Sequence, residues 1–235
     1  MAALISNSID QSSNDSSALT DFAGEGVIID IGTGDGRFVY QSARRNPKKF
    51  YIGIDPNTPP LEKISEKIYR KPAKGGAGNV LFVQAAVEDL PAELDGVADE
   101  LHVHFPWGSL LRAVAAGDVA VLRNLRRICS ADALLEIVIG LDPDRDRSEL
   151  ERLGIPELSL KYIDEVLRGQ YTNAGFEITE HGILPASEWP EFNTSWARRL
   201  QQNPNRPVTY LIARCLSLFL LFPQRIDTLS SRPVC

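Results

Sequence analysis

Cysteine and histidine are scarce in this chain, with three of each among 235 residues. The cysteines, Cys129, Cys215 and Cys235, show no paired spacing, so the sequence predicts neither a disulfide framework nor a zinc site. We expect no metal site of any kind. So little cysteine suits a reducing compartment, and we expect a cytoplasmic protein.

The sequence also lacks a long apolar run. Residues 216–222 are apolar, but a membrane-spanning helix needs roughly 20 such residues. Residues 1–21 are rich in Ser and Asn and have no basic segment followed by an apolar one, so we do not interpret them as a signal peptide. We therefore expect no membrane partner.

A strong basic charge is absent as well. The formal net charge of −6 excludes a uniformly basic nucleic-acid binder, although it leaves room for a local basic face. With 43% hydrophobic and 24% charged residues, a globular core is expected. The length suits one α/β domain over residues 25–215, with insertions at about 141–170 and 184–206. Residues 1–24 form a polar leader that we expect to be weakly ordered, and residues 216–235 form a tail.

A glycine-rich turn organises the first half of the chain. The β-branched run at residues 27–31 predicts a buried strand, Gly32, Gly34 and Gly36 predict a turn, and a helix follows. Strand, turn and helix in this order are typical of the ligand crevice of a doubly wound sheet. Asp30 and Asp35 would repel a pyrophosphate but attract the ammonium and sulfonium of S-adenosylmethionine. The alternative is an ordinary tight turn.

Two further strands add candidate contacts to the same crevice. Residues 50–54 predict a strand that ends in Asp55, about 20 residues beyond the turn, where a carboxylate can accept hydrogen bonds from ribose hydroxyls. Residues 80–83 predict the next strand, and the following loop with Val87 and Glu88 is expected beside the adenine base. For Asp55 the alternative is a solvated acid at a strand end.

Positive charge is concentrated in one region of this acidic chain. Residues 61–69 predict a basic amphipathic helix, and its cations continue into the next turn: Lys63, Lys67, Arg70, Lys71 and Lys74. The concentration favours a phosphate-contacting patch. The alternative is a solvated helix face.

Two tryptophan-containing segments are candidates for substrate recognition. Phe105-Pro106-Trp107 follows a predicted strand at 100–104, where many amino-methylating enzymes place a polar residue that accepts from an exocyclic amine. An apolar Phe105 instead suits a ring nitrogen as methyl acceptor. Trp196, followed by Arg199 and Arg206, suits a clamp in which two indoles stack on a flipped base. The alternative for both tryptophans is core packing.

These residues resemble the aminoglycoside-resistance 16S rRNA adenine-N1 methyltransferases of the Kam and Npm type. The matching segments are DIGTGDGR (30–37), YIGIDP (51–56), KPAKGG (71–76), FPWGSLL (105–111) and SWARRL (195–200). The turn is generic among methyltransferases, whereas the last three segments are specific. Family members open with a β-hairpin that helps RNA docking, and residues 1–24 depart from that pattern.

The resemblance implies a Rossmann-like class I methyltransferase fold, with a seven-stranded, mostly parallel sheet and helices on both faces. It implies methyl transfer from S-adenosylmethionine to N1 of a decoding-site adenine in the assembled 30S subunit, aminoglycoside resistance, and a monomeric enzyme. Trp107 and Trp196 would sandwich the adenine. The cofactor residues would be Asp30, Gly32, Gly34, Asp55, Pro56, Val87, Glu88, His104, Ser109 and Thr194. The RNA-contacting residues would be Lys67, Arg70, Lys71, Lys74, Arg199 and Arg206.

Two other functions stay open at this point. A tRNA (guanine-N7) methyltransferase has a related sheet and a loop containing Phe-Pro, but its loop continues with basic residues where this chain has Trp-Gly-Ser-Leu-Leu. A cofactor-binding module without transfer activity is the other alternative, against which Asp30, Asp55 and the two tryptophans weigh.

Overall fold

Short apolar segments form the strands of one mixed sheet. The structure is a computed structural model that describes residues 3–4, 26–184 and 206–216. The strands are β1 (Ala3–Leu4), β2 (Val27–Ile31), β3 (Phe50–Ile54), β4 (Val80–Gln84), β5 (Ala98–His104), β6 (Cys129–Ile139), β7 (Phe176–Leu184) and β8 (Val208–Cys215). Their order is β1-β4-β3-β2-β5-β6-β8-β7.

Strands β2 to β6 run parallel, and β1 and β8 run in the opposite direction. β8 is antiparallel to β6, and β7 is antiparallel to β8, so the last two strands are antiparallel neighbours. The expected α/β fold with a mostly parallel seven-stranded sheet is confirmed. β1 adds a two-residue edge strand antiparallel to β4, contributed by the segment expected to be a weakly ordered leader.

Helices cover both faces of the sheet, as predicted. They are α1 (Arg37–Arg45), α2 (Glu62–Ile68), α3 (Gly108–Ala116), α4 (Val119–Ile128), α5 (Arg147–Leu153) and α6, a continuous run made of Leu160–Tyr162, a π-helical Ile163–Leu167 and Arg168–Ala174. Short 3-10 turns occur at Pro59–Leu61, Pro72–Lys74 and Ala92–Leu94. Within the described residues, no helix combines the length and the apolarity that crossing a membrane requires.

The core forms on both sides of the central strands. α1 and α2 pack on one face over a cluster that includes Tyr51 and Phe82, and α3, α4 and α6 pack on the other over a larger cluster that includes Leu101 and Ile137. Because β2 and β3 are buried along their whole length, their sequences are near-continuous apolar runs. β3 and β4 lie on one side of β2, and β5 and β6 lie on the other, so the strand order reverses at β2. Ligands of such sheets bind at this point, at the carboxyl ends of the strands.

Candidate active site

A cleft of about 550 Å³ opens at this strand edge. The volume falls within the range typical of small-molecule sites. Its walls are the glycine turn, the end of β3, the loop after β4 and the segment after β5. The predicted residues that line it are Asp30, Gly32, Gly34, Asp55, Pro56, Val87, Glu88, His104, Trp107 and Ser109.

The glycine turn is held by backbone hydrogen bonds to β3. The N–H groups of Gly32 and Thr33 both donate to the carbonyl of Ile54, at 2.8 and 3.1 Å. Gly34 has a φ of 59°, and a Cβ added there would meet nothing within 4 Å, so its open side faces the cleft. A Cβ on Gly32 would lie 2.8 Å from Leu110. The turn therefore brings backbone, and not side chains, up to the ligand space.

Asp55 fastens the turn to the end of β3. Its Oδ2 accepts from the N–H of Gly34 at 2.9 Å, and its Oδ1 accepts from the N–H of Asn57 at 2.8 Å. A carboxylate has about four acceptor positions, so both oxygens keep capacity for ligand hydroxyl groups. The backbone contacts fix the carboxylate at the mouth of the cleft.

Asp30 forms the floor of the cleft. The residue is 3% exposed, and burial raises the pKa of its carboxyl, an effect that the nearby His104 partly offsets. His104 also lines the cleft, and its Nε2 lies 2.6 Å from Oε1 of Glu136 on β6. The floor is therefore a network of titratable groups, of which sequence reasoning found only Asp30 and His104.

The loop after β4 is anchored by a residue that sequence reasoning missed. The side-chain amide of Asn124, on α4, donates to the carbonyls of Val87 and Glu88, at 3.3 and 2.9 Å. Val87 itself is 6% exposed. Nothing in the amphipathic pattern of α4 distinguishes Asn124 from a solvated polar residue, so the sequence carries no signal for this contact.

The segment after β5 places one aromatic residue inside and one at the rim. Phe105 is buried and has a φ of 49°, a left-handed conformation that is uncommon for a bulky residue and recurs at functional sites. Its N–H donates to the carbonyl of Val138 at 2.7 Å, which ties the bend to β6. Trp107 is 44% exposed and precedes α3. The bend thus holds an indole at the entrance of the cleft.

The predicted basic patch lies on α2 and the turn after it. Nζ of Lys67 lies 4.6 Å from the centre of the Tyr40 ring, a cation–π contact, while Arg70, Lys71 and Lys74 are exposed. We call Lys67, Arg70, Lys71 and Lys74 the basic patch.

Close packing of the KPAKGG segment gives the basic patch its shape. A Cβ on Gly76 would lie 1.6 Å from the carbonyl oxygen of Arg70, so only glycine fits there. The hydroxyl of Tyr40 donates to the carbonyl of Gly75 at 2.8 Å. Tyr69, beside these cations, is 58% exposed and offers an aromatic surface that sequence reasoning missed. Its position between Lys67 and Arg70 in the sequence was the available signal.

Arg206, which the resemblance assigns to RNA contact, has a buried side chain. Its side chain is 9% exposed, forms an ion pair with Asp146 and donates from Nε to the carbonyl of Gly140 at 3.0 Å. It anchors the loop after β6 instead. Thr194, Trp196 and Arg199 lie outside the described residues.

Comparisons with known proteins agree on one family. A family profile described as NpmA, 16S rRNA (adenine(1408)-N(1))-methyltransferase, matches residues 8–215. The chain is 41% identical over 175 residues to a protein of that name from Escherichia coli, covering 74% of this chain and 80% of that protein.

Solved structures give the same result. The aminoglycoside resistance methyltransferase NpmB1 is similar with a TM-score of 0.76 and 42% identity, covering 92% of this chain and all of that one. A tryptophan-to-alanine mutant of the 16S rRNA (adenine(1408)-N(1))-methyltransferase from Catenulisporales acidiphilia, solved with the cosubstrate S-adenosylmethionine, is similar with a TM-score of 0.80 and 33% identity, over 88% of this chain and 94% of that one.

Similarity to tRNA-modifying enzymes is partial. A tRNA (guanine-N(7)-)-methyltransferase from Bacillus cytotoxicus is 34% identical over 84 residues, which covers 34% of this chain and 37% of that protein. This match covers about one third of the chain, whereas the NpmA profile spans nearly all of the sheet.

Proposed function

The chain belongs to the NpmA family of 16S rRNA (adenine(1408)-N(1))-methyltransferases, and we propose that it methylates N1 of adenine 1408 in assembled 30S subunits. It is an S-adenosylmethionine-dependent rRNA methyltransferase with the class I fold. Methylation at this position confers aminoglycoside resistance, because it blocks the hydrogen bonds that these drugs make to the adenine. One observation supports the proposal most directly: an exposed indole, Trp107, stands at the rim of a cleft built for an adenosyl cofactor.

The described residues fit S-adenosylmethionine. The open side of Gly34 leaves room for ligand atoms beside the turn. The carboxylate of Asp55 accepts a hydrogen bond from the N–H of Gly34 and therefore lies next to that space. Acidic side chains, of Asp30, Asp35 and Asp55, line the half of the cleft that we assign to the charged end and the ribose. We assign the adenine ring to the loop at Val87 and Glu88, which Asn124 holds in place.

We assign recognition of the target base to Trp107 and Trp196. Each base–aromatic stack contributes about 1–3 kcal/mol, and extracting a base from RNA costs a few kcal/mol, so two stacks offset that cost. The rigid bend at Phe105 restricts where the first indole can lie. Trp196 comes from residues outside the described part of the chain, and its role rests on the family resemblance.

Catalysis requires mainly positioning. When bound, S-adenosylmethionine supplies an electrophilic methyl group, and the N1 lone pair displaces the sulfur with release of S-adenosylhomocysteine. No base is needed, because N1 of a flipped adenine carries no proton. The indole faces fix the plane of the base and stabilise the positive charge that develops on it. The chain therefore contributes orientation, not proton transfer.

We assign docking on the ribosomal subunit to the basic patch with Arg199, in a monomeric enzyme. Arg70, Lys71 and Lys74 are exposed on a turn whose shape is fixed by the close packing of Gly76. A preformed cationic surface on an otherwise acidic chain suits contacts to RNA phosphates. We leave Arg206 out of this surface, because its side chain is buried in an ion pair with Asp146.

The proposal is tested by measuring which RNA accepts the methyl group. We expect label from radioactive S-adenosylmethionine to enter 16S rRNA when intact 30S subunits are offered and not to enter free tRNA or free 16S rRNA. Label in tRNA would favour the guanine-N7 alternative. Cofactor binding without transfer to any of these RNAs would favour a binding module.

A further inference from the structure

Three side chains with metal-binding atoms meet on the sheet face next to the floor of the cleft. His102 and His104 lie two residues apart on β5, so both project from the same face. Glu136 on β6 is the register partner of His102. One ligand atom from each of the three side chains lies within 4.8 Å of the other two.

We infer that His102, His104 and Glu136 form a binding site for a divalent transition-metal ion. Two imidazoles and one carboxylate suit Zn²⁺ and its neighbours Co²⁺ and Ni²⁺, and three protein ligands leave a fourth position for water. The sequence analysis predicts no metal site, because the three cysteines show no paired spacing. A His-x-His pair on a strand becomes informative only when the strand opposite supplies a third ligand.

The spacing of the three groups is close to what such an ion needs. In a tetrahedral site with bonds of about 2.1 Å, neighbouring ligand atoms lie about 3.4 Å apart. Glu136 Oε1 lies 2.6 Å from Nε2 of His104 and 3.7 Å from Nδ1 of His102, so the observed separations bracket that value. An ion entering here would replace the hydrogen bond between His104 and Glu136. We expect small side-chain rotations, without a change of the sheet, to complete the geometry.

The imidazoles are held in position by α1. The ring of Phe38 packs against both, with centroid separations of 5.5 Å to His102 and 4.8 Å to His104. Rings locked by packing lose little conformational entropy when they bind an ion. The site is also accessible: the side chains of Glu136 and His102 are 36% and 15% exposed, whereas that of His104 is 4% exposed. Access from the Glu136 side gives an ion an entry path.

The surrounding charges favour a cation. Carboxylates of Asp30, Glu100 and Glu136 surround the two imidazoles, and Lys49 provides an ammonium group that pairs with Glu100 at 2.7 Å. The carboxylates of Glu100 and Glu136 and the one ammonium leave an excess of negative charge when the imidazoles are neutral, the form in which they bind metals. A divalent ion compensates that excess in a partly buried place where charge imbalance is costly.

Metal binding to the untagged full-length chain tests the inference directly. The protein is stripped with a chelator, titrated with Co²⁺ while its absorption is recorded, and titrated with Zn²⁺ by calorimetry. We expect one ion per chain, visible d–d bands of low-symmetry Co²⁺ without intense thiolate charge-transfer bands, and a higher Tm in the presence of the ion.

Two variants and one control assign the site. Glu136→Gln keeps the shape of the side chain and a hydrogen-bond acceptor for His104, and we expect it to weaken metal affinity by more than about tenfold. His102→Gln should do the same. His181→Gln removes the remaining histidine, which contacts Asp164 at 2.9 Å away from the cluster, and should leave binding unchanged.

The outcomes separate this inference from the proposed function, because metal binding is measured without RNA. Absence of saturable binding up to millimolar metal would overturn it, as would equal affinities for the parent, Glu136→Gln and His102→Gln. Thiolate charge-transfer bands would also overturn it, since they would place the ion at cysteines. A retained melting transition in chelator shows that each variant is folded.

Discussion

Two groups of side chains in this structure differ in burial and in what they contact. Asp55, Asn124 and Arg206 are anchored: each binds backbone groups of a neighbouring loop and fixes its shape. Trp107, Lys71 and Lys74 are exposed, and hydrogen bonds and close packing hold the backbone next to them. The comparison teaches that the anchored group fixes the shape of loops, whereas the exposed group is the one that we propose to contact RNA. Substitutions in the anchored group should therefore impair stability or cofactor binding, whereas substitutions in the exposed group should impair methyl transfer or binding to 30S subunits.

The largest effect is expected at Arg206. Arg206→Ala leaves Asp146 poorly exposed and without its ion pair, so we expect a loss of about 3 kcal/mol in the free energy of unfolding. Arg147→Ala is the matched control, because its pair with Asp144 is exposed and should contribute under about 1 kcal/mol. Urea unfolding of both variants measures this. Equal stabilities would remove Arg206 from the anchored group.

Next in size is the effect of Trp107→Ala on methyl transfer. Losing one stack should cost about 1–3 kcal/mol, which corresponds to a roughly 5- to 150-fold lower kcat/KM on 30S subunits. Binding of S-adenosylhomocysteine, measured by calorimetry, should stay within about twofold. Trp107→Phe retains an aromatic face and should recover part of the rate. A variant with full activity would contradict the stacking role.

A smaller effect is expected at Asn124. Asn124→Ala removes two hydrogen bonds to the carbonyls of Val87 and Glu88, and we expect cofactor affinity to fall by about 1 kcal/mol, or roughly fivefold. Arg123→Ala, one residue earlier on α4, loses a contact to the carbonyl of Asn173 and should leave the affinity unchanged. If both variants bind the cofactor equally well, Asn124 does not position that loop.

The smallest effect is expected for single cations of the basic patch. Lys74→Ala should weaken binding to 30S subunits only a few-fold and lower the slope of log affinity against log salt by about one. Lys161→Ala, an exposed lysine on α6, is the control. Binding measured at several salt concentrations gives both slopes. An unchanged slope for Lys74→Ala would place the RNA elsewhere.

Much of this fold could be predicted from local pattern. The bounds of β3 are those that the sequence predicts, because an apolar run lies between turn residues. α1 follows the glycine turn as the sequence predicts, and it begins at Arg37, since Gly36 takes a left-handed conformation before it. The start of β6 at Cys129 is not evident from the sequence, because residues 130–132 are partly or fully exposed and interrupt the apolar pattern.

The anchored contacts could not be predicted in the same way. Arg206 and Asp146 are 60 residues apart, and Asn124 and Val87 are 37 apart, so no local spacing reveals either pair. The cluster of His102, His104 and Glu136 depends on the register between β5 and β6. Sequence motifs located the cleft because its turn and its strand ends are local features. The supporting contacts belong to tertiary structure.

Primer extension on 16S rRNA tests the central claim most directly. RNA from cells expressing the parent chain should stop reverse transcription at adenine 1408, and nucleoside analysis should identify the base as 1-methyladenosine. RNA from cells expressing Trp107→Ala should give a strongly reduced stop. Unmodified 16S rRNA, or N7-methylguanosine in its place, would contradict the account.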